Sequence, residues 1–140
     1  MSLKISIDWS ESFKNEILEL AKHTDPYLQM VQGIIMYIWA DKKMNGISLS
    51  TKPAYIDRLS DNTSFPTIKD KLIHNLGKFD MLEMLHKPGK KPLYVVVGKV
   101  IFNENISPDD HMMEAVYHML VHQYQPSHNE VPDSLYKRKD

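Results

Sequence analysis

LYVVVGKVIF, residues 93–102, is rich in β-branched and aromatic side chains and predicts a strand that is buried on both faces. Such a strand belongs at the centre of a sheet. Gly98 inside it is compatible with a β-bulge, or with a tight hairpin turn at residues 98 and 99 that would split the segment into two strands. We prefer one strand, because each hairpin arm would have only about four residues.

The N-terminal segment predicts a second strand followed by a helix. Apolar residues at the odd positions from Leu3 to Trp9 alternate with polar ones, which is the period of a strand with one buried face. In ESFKNEILELAKHT, residues 11–24, apolar side chains recur at helical spacing. They are Phe13, Ile17, Leu20 and Ala21. The chain is therefore expected to begin in the sheet and to continue into an amphipathic surface helix.

Residues 26–43, PYLQMVQGIIMYIWADKK, predict a helix that starts after an Asp25 cap and is apolar on nearly all sides. Such a helix belongs in the middle of the core or beneath a partner. Gly33 inside it costs about 1 kcal/mol relative to alanine, which indicates that another backbone packs close at this point. The Asn-Gly pair at residues 45–46 tolerates the left-handed conformation that ends a helix.

The middle of the chain predicts less regular structure. Ile47 and Leu49 predict a short strand. Residues 51–66, with two prolines and the polar run SDNTS, predict a surface loop, in which residues 55–59 are compatible with one helical turn. Apolar residues then recur at helical spacing over residues 68–85 after a Thr67 cap. One long bent helix and two short helices are both compatible with this pattern.

Residues 107–124, SPDDHMMEAVYHMLVHQY, predict a helix with Ser107 as its N-cap and Pro108 at its first helical position. At about 100° per residue, its apolar side chains gather on one side. They are Met112, Met113, Val116, Met119, Leu120 and Tyr124. The opposite side carries His111, Glu114, His118 and His122, and it is expected to face away from the packed interior.

This order of elements predicts an α+β fold, with a small sheet of about three strands packed against four to five helices. Residues 1–124 are expected to form a single compact domain. Residues 125–140 have two prolines and few apolar side chains, and they predict a mobile tail.

Composition and charge exclude several function classes. A formal net charge of −1 gives no reason to expect nucleic acid or an anionic membrane as the main partner. The absence of cysteine excludes a disulfide scaffold, a thiol nucleophile and every zinc site that needs sulfur. The N-terminus lacks the pattern of a signal peptide, and no apolar run is long enough to span a bilayer, so the protein is predicted to be cytosolic.

Two histidines four residues apart on one helix, His118 and His122, have the spacing at which both can bind one transition metal, with Glu114 as a further ligand or a general base. His111 lies seven residues before His118, or about 10 Å of helix rise, and cannot share that metal. A third ligand would have to come from elsewhere in the chain. The candidates are Asp80, His86 and His74. A solvent-facing polar stripe without a metal is the simpler interpretation, and a surface for a partner is the next.

Lysines supply the other candidate contacts. Lys87, Lys90 and Lys91 concentrate positive charge in one predicted turn and are candidates for binding a partner. Two further lysines, Lys78 and Lys99, add to this positive charge. An ordinary solvent-exposed turn explains the lysines more simply than a binding site does. Residues 41–52 begin like a calcium loop and fail as one, because lysines stand at its third and twelfth positions.

These observations favour a small soluble protein that acts without catalysis by binding another protein, such as an inhibitor, an immunity or antitoxin factor, or an adaptor. A homo-oligomer is compatible with this hypothesis. His111, Glu114, His118 and His122, with the three turn lysines, are its candidate contacts. One alternative is a hydrolase that uses a divalent transition metal on the His/Glu face, and a second is a regulatory protein associated with nucleic acid. No other cofactor is indicated.

Overall fold

An antiparallel sheet of five strands forms the centre of the protein in the computed structural model, which describes residues 4–22, 24–48, 50–60, 65–76, 91–103 and 108–126. The strands are β1 (Ile5–Trp9), β2 (Phe13–Lys14), β3 (Gly33–Trp39), β4 (Pro53–Leu59) and β5 (Leu93–Phe102). Their order is β1-β5-β3-β4, and β2 also pairs with β5. Because β3 occupies the other side of β5, β1 and β2 follow one another along the same side.

Helices cover both faces of this sheet. Three α-helices lie in the described residues: α1 (Ile17–Lys22), α2 (residues 68–76) and α3 (Asp110–Tyr124). A 3₁₀ turn at Pro26–Gln29 precedes β3. The α1 and α2 helices and the turn pack against one face, around Tyr37 and Val95, whereas α3 packs against the other, around Met36 and Val96. No helix in the described ranges is long and apolar enough to cross a membrane.

The predicted α+β class holds, but the predicted sheet of about three strands with four to five helices is wrong. The described residues contain five strands and three α-helices. The difference arises because residues 33–39 and 53–59, predicted to be helix and loop, are both strands.

The segment predicted as a helix over residues 26–43 contains the 3₁₀ turn and then β3. Residues 33–38 are all buried, because β3 is an inner strand with a packed layer on each face. A strand buried on both faces has no apolar period, so it resembles a helix that is apolar all round. The content of isoleucine, tyrosine and tryptophan in GIIMYIW favours the strand. The expected close backbone is present: a Cβ on Gly33 would lie 2.9 Å from the carbonyl oxygen of Gly98.

The loop predicted over residues 51–66 contains β4, an edge strand paired only with β3 within the described residues. Pro53 opens this strand, where a missing N–H is tolerated at a sheet edge. Asp57 and Arg58 in its second half interrupt the apolar pattern. Both residues have partners in the fold, described below, which the sequence pattern does not indicate.

Smaller corrections concern element ends. Phe13 belongs to β2 and not to the first helix, and Ile47 lies outside any strand. The α3 helix begins later than predicted, with Asp109 as its N-cap: the Asp109 carboxylate accepts a hydrogen bond from the N–H of Met112 at 2.9 Å. Asp109 therefore replaces the predicted cap, Ser107, which lies outside the described residues, and Pro108 precedes the helix.

Several predictions are confirmed. Leu93–Phe102 is one continuous inner strand, and Ile5–Trp9 is a strand at the sheet edge. Thr67 caps α2, since its hydroxyl accepts from the N–H of Asp70. Leu3, Leu49, the segment 77–90 and the predicted tail from residue 127 lie outside the described residues.

The two glycines where β3 and β5 approach each other predict a rank order of stability. Gly33→Ala is expected to lower the free energy of unfolding by about 1–3 kcal/mol, since its Cβ meets a backbone carbonyl that strand pairing holds in place. Gly98→Ala places its Cβ 2.7 Å from side-chain atoms of Ile7 and Trp9, which are only half-buried and can move. Urea unfolding should therefore show the larger loss for Gly33→Ala, and equal or reversed losses would contradict the close strand approach.

Candidate functional site: the groove between β1 and α3

β1 forms an open edge of the sheet. Pairing with β5 occupies one side of β1, and in the described part of the chain no second strand lies on its other side. The loop at residues 44–46 covers the neighbouring segment instead, through hydrogen bonds from Ser12 N–H to Met44 O and from Gly46 N–H to Ser10 O. The covered part therefore begins where β1 ends.

Hydrogen bonds at the two ends of β1 establish which backbone groups point outward. Asn103 N–H donates to Lys4 O, and Ser10 N–H donates to Val97 O. Alternate residues of an antiparallel strand face the same neighbour, so the even-numbered residues 4–10 turn their N–H and C=O groups toward β5. The odd-numbered residues Ile5 and Ile7 consequently point theirs away from the sheet, as a template for another strand.

The apolar side chains of β1 lie on the α3 face of the sheet. Ile5 stands opposite Phe102 and Ile7 opposite Val100, and these β5 residues belong to the core layer beneath α3. The other face of β1 carries Lys4, Ser6 and Asp8, all exposed. An added strand would therefore place alternate side chains beside α3 and the others in water.

A groove of about 340 Å³ lies between β1 and α3. Its lining is almost wholly apolar and consists of Ile5, Phe102, His111, Met112, Ala115, Val116 and Met119. Ile5 is 39 % exposed and Met119 is 44 % exposed, although Met119 was predicted to lie on the buried side of the helix. The groove is therefore an accessible apolar surface directly beside the open edge of the sheet.

The groove exists because α3 packs toward the opposite side of the sheet. The helix contacts β4, where the guanidinium of Arg58 lies 4.7 Å above the ring of Tyr117. A cation over an aromatic face is attractive, and it holds this flank of α3 against β4. The other flank, with Ala115 and Met119, is left over the open edge strand.

The predicted His/Glu face of α3 points outward as expected. His111, Glu114, His118 and His122 are all exposed, and of the four His111 lines the groove. His118 Nε2 lies 3.5 Å from Glu114 Oε1, one helical turn away, and its ring packs edge-on against Tyr117. His111 therefore forms part of the rim of the groove, and Glu114, His118 and His122 form the helix surface beyond it.

The described residues do not assemble the predicted metal site. No group of three potential ligands lies together among them. His74 is on α2, where its ring stacks 4.7 Å from Phe65, and α2 covers the face of the sheet opposite to α3. His74 therefore cannot complete a site with His118. Asp80 and His86 lie outside the described residues.

Of the candidate lysines, the structure describes Lys91 and Lys99. Lys78, Lys87 and Lys90 lie outside the described residues. Lys91 is half-buried just before β5 and pairs with Asp41 at 3.7 Å. Lys99 shares a strand face with Val97 and is exposed.

A buried polar network under α2 was missed by the sequence analysis. The Asn75 amide donates to the Tyr37 hydroxyl at 3.2 Å and to the Asp57 carboxylate at 3.0 Å. Lys71 lies 3.5 Å from the same carboxylate and 5.1 Å above the Phe65 ring. The sequence predicts a helix around Tyr37 and a loop around Asp57, so it gave no indication that the two side chains lie close together.

Burial raises the pKa of Tyr37 well above its usual value. The Asn75 hydrogen bond opposes this effect in part, and the nearby carboxylate of Asp57 adds a smaller increase. The phenol is therefore neutral at physiological pH and is no general base. Because the network is enclosed and satisfied, it ties α2 to β3 and β4 instead of presenting groups to a substrate.

Comparison of the chain with protein-family models, curated protein sequences and solved structures gives no significant match.

The Tyr37 network predicts a loss of stability at alkaline pH. The folded-state pKa is raised, so the contribution is fully present below the unfolded value of about 10 and falls above it, by up to about 1.4 kcal/mol per pH unit. Wild type should therefore exceed Tyr37→Phe in stability below pH 9 and lose this advantage above pH 10. Urea unfolding of both proteins between pH 8 and 11 measures the difference, and a pH-independent difference would contradict the assignment.

The exposed His/Glu face predicts weak metal binding. Protein purified without a histidine tag should hold less than about 0.1 transition-metal ion per chain and show no rise in Tm with Zn²⁺, Mn²⁺ or Fe²⁺, because two exposed ligands bind weakly. Metal analysis and thermal unfolding test this. Stoichiometric metal that is lost in His118→Ala and retained in His111→Ala would instead support the hydrolase alternative.

Proposed function

We propose that the protein is a cytosolic, non-enzymatic binding protein of the inhibitor, immunity, antitoxin or adaptor type. It takes up an extended segment of another protein as an added strand on the outer edge of β1. The observation that supports this proposal is the outward direction of the Ile5 and Ile7 backbone groups directly beside an apolar groove. Backbone hydrogen bonds supply affinity in this mode, and pockets for alternate side chains supply specificity.

The groove specifies the chemistry of the segment. One face of the added strand would lie over Ala115 and Met119, so its alternate residues should be apolar. Its other face would lie beside Ser6 and Asp8, which are exposed, so the intervening residues should be polar. His111 at the rim is cheaper to desolvate when neutral than a lysine or glutamate would be.

The backbone part of this proposal is tested by Ile7→Pro. Proline removes the N–H that points outward and leaves the β1–β5 hydrogen bonds intact, and an edge strand tolerates proline in this orientation. Ile7→Ala is the matched control, because it also removes the isoleucine side chain but keeps the N–H. A peptide selected from a random display library on the wild-type protein should bind Ile7→Pro about 10-fold more weakly than Ile7→Ala.

The groove part is tested by Met119→Glu, which places a charge among apolar side chains and should weaken the same peptide by at least about 10-fold. Gln123→Glu adds the same charge to an exposed position of α3 outside the groove lining and should have little effect. Selected peptides should alternate apolar and polar residues. A selection that yields no binder, or binders insensitive to both Ile7→Pro and Met119→Glu, would refute the proposal.

A further inference from the structure

A second cavity lies at the end of the sheet where β3 ends and where β4 and β5 begin. It is a cleft of about 570 Å³ lined by Trp39, Lys52, Pro53, Ala54, Lys91, Tyr124 and Gln125. None of these residues lines the groove between β1 and α3. The volume falls in the range of about 300–1,000 Å³ that is typical of small-molecule sites.

The charged groups of the cleft are both positive. Lys52 is exposed and has no ion pair within the described residues. Lys91 has Asp41 at 3.7 Å, but the Asp41 side chain is 78 % exposed. Such an exposed pair is held weakly, and Lys91 can exchange it for another anion. The cleft therefore has two ammonium groups available to a negatively charged ligand and no carboxylate in its lining.

The remaining lining suits a planar ring. Trp39 at the end of β3 and Tyr124 at the end of α3 are both half-buried, so each is held by the fold and still reaches the cleft. Aromatic faces of this kind stack on the rings of bases and similar groups. Gln125 adds an amide that can both donate and accept hydrogen bonds at a ring edge.

We propose that this cleft binds a phosphorylated ligand with a planar aromatic ring, the chemistry of a nucleoside monophosphate. The ring packs against Trp39 and Tyr124, and the phosphate is bound by Lys52 and Lys91. Lysine binds phosphate as a point charge, so affinity depends on both ammonium groups and falls with added salt. The cleft shares no lining residue with the groove between β1 and α3, so an experiment that refutes one proposal leaves the other standing.

Tryptophan fluorescence provides a direct test, because Trp39 lines the cleft and Trp9 is the only other tryptophan in the chain. In a Trp9→Phe background, AMP should quench the Trp39 signal saturably, and adenosine and inorganic phosphate should each bind more weakly than AMP. Lys52→Gln and Lys91→Gln should each reduce AMP affinity about 5- to 10-fold. Lys99→Gln removes an exposed lysine outside the cleft. It is the matched control and should leave the affinity for AMP unchanged.

A tetranucleotide titrated in parallel distinguishes the two sources of this chemistry. Binding at least about 10-fold tighter than AMP assigns the site to a nucleic-acid strand, and equal or weaker binding assigns it to a free nucleotide. The proposal is overturned if AMP gives no saturable quenching up to about 10 mM, where even a site with a Kd near 1 mM would be occupied. Quenching that is unaffected by both cleft-lysine substitutions would also overturn it.

Discussion

The pairing of β3 with β5 is the constraint on which the rest of the structure depends. Residues 33–38 of β3 and 93–98 of β5 are buried on both faces, and the strands approach so closely at Gly33 that a Cβ there would meet the Gly98 carbonyl. Burial on two faces requires a packed layer on each side of the sheet. The α1 and α2 helices supply one layer and α3 the other, while β1 and β4 are left as edges whose exposure then depends on how those helices are placed.

The placement of α3 determines where two of the accessible cavities lie. Its contact with β4, through Arg58 and Tyr117, leaves the opposite flank above β1 without a covering element in the described residues. The same helix ends at Tyr124 beside the first residues of β4 and β5, where the second cleft lies. One packing arrangement therefore accounts for an apolar groove along the helix and a polar, lysine-bearing cleft at its C-terminal end. The two ligands proposed above, an extended chain segment for the groove and an anionic ring compound for the cleft, follow from this difference in lining.

Sequence reasoning succeeded where a periodic pattern reports on one local environment. The alternation of Ile5, Ile7 and Trp9 correctly predicted a strand with one buried face. The helical spacing in residues 107–124 correctly placed the His/Glu face on the outside of the helix. It failed for residues 26–43, because burial on both faces removes the period that separates strand from helix. It also failed for β4, because Asp57 is a polar residue inside the strand whose partners Asn75 and Lys71 lie on a distant helix.

The sequence by itself determined the mixed class of the fold, the β-structure of Leu93–Phe102, the β1 strand and the polar outer face of α3, since each follows from the spacing or type of neighbouring residues. Only the tertiary structure decided the strand order, the direction of the free backbone groups on β1, the groove and the cleft. Trp39, Lys52, Lys91 and Tyr124 come from four separate parts of the chain. Their proximity follows from strand pairing and helix packing over long sequence separations, which local periodicity does not encode.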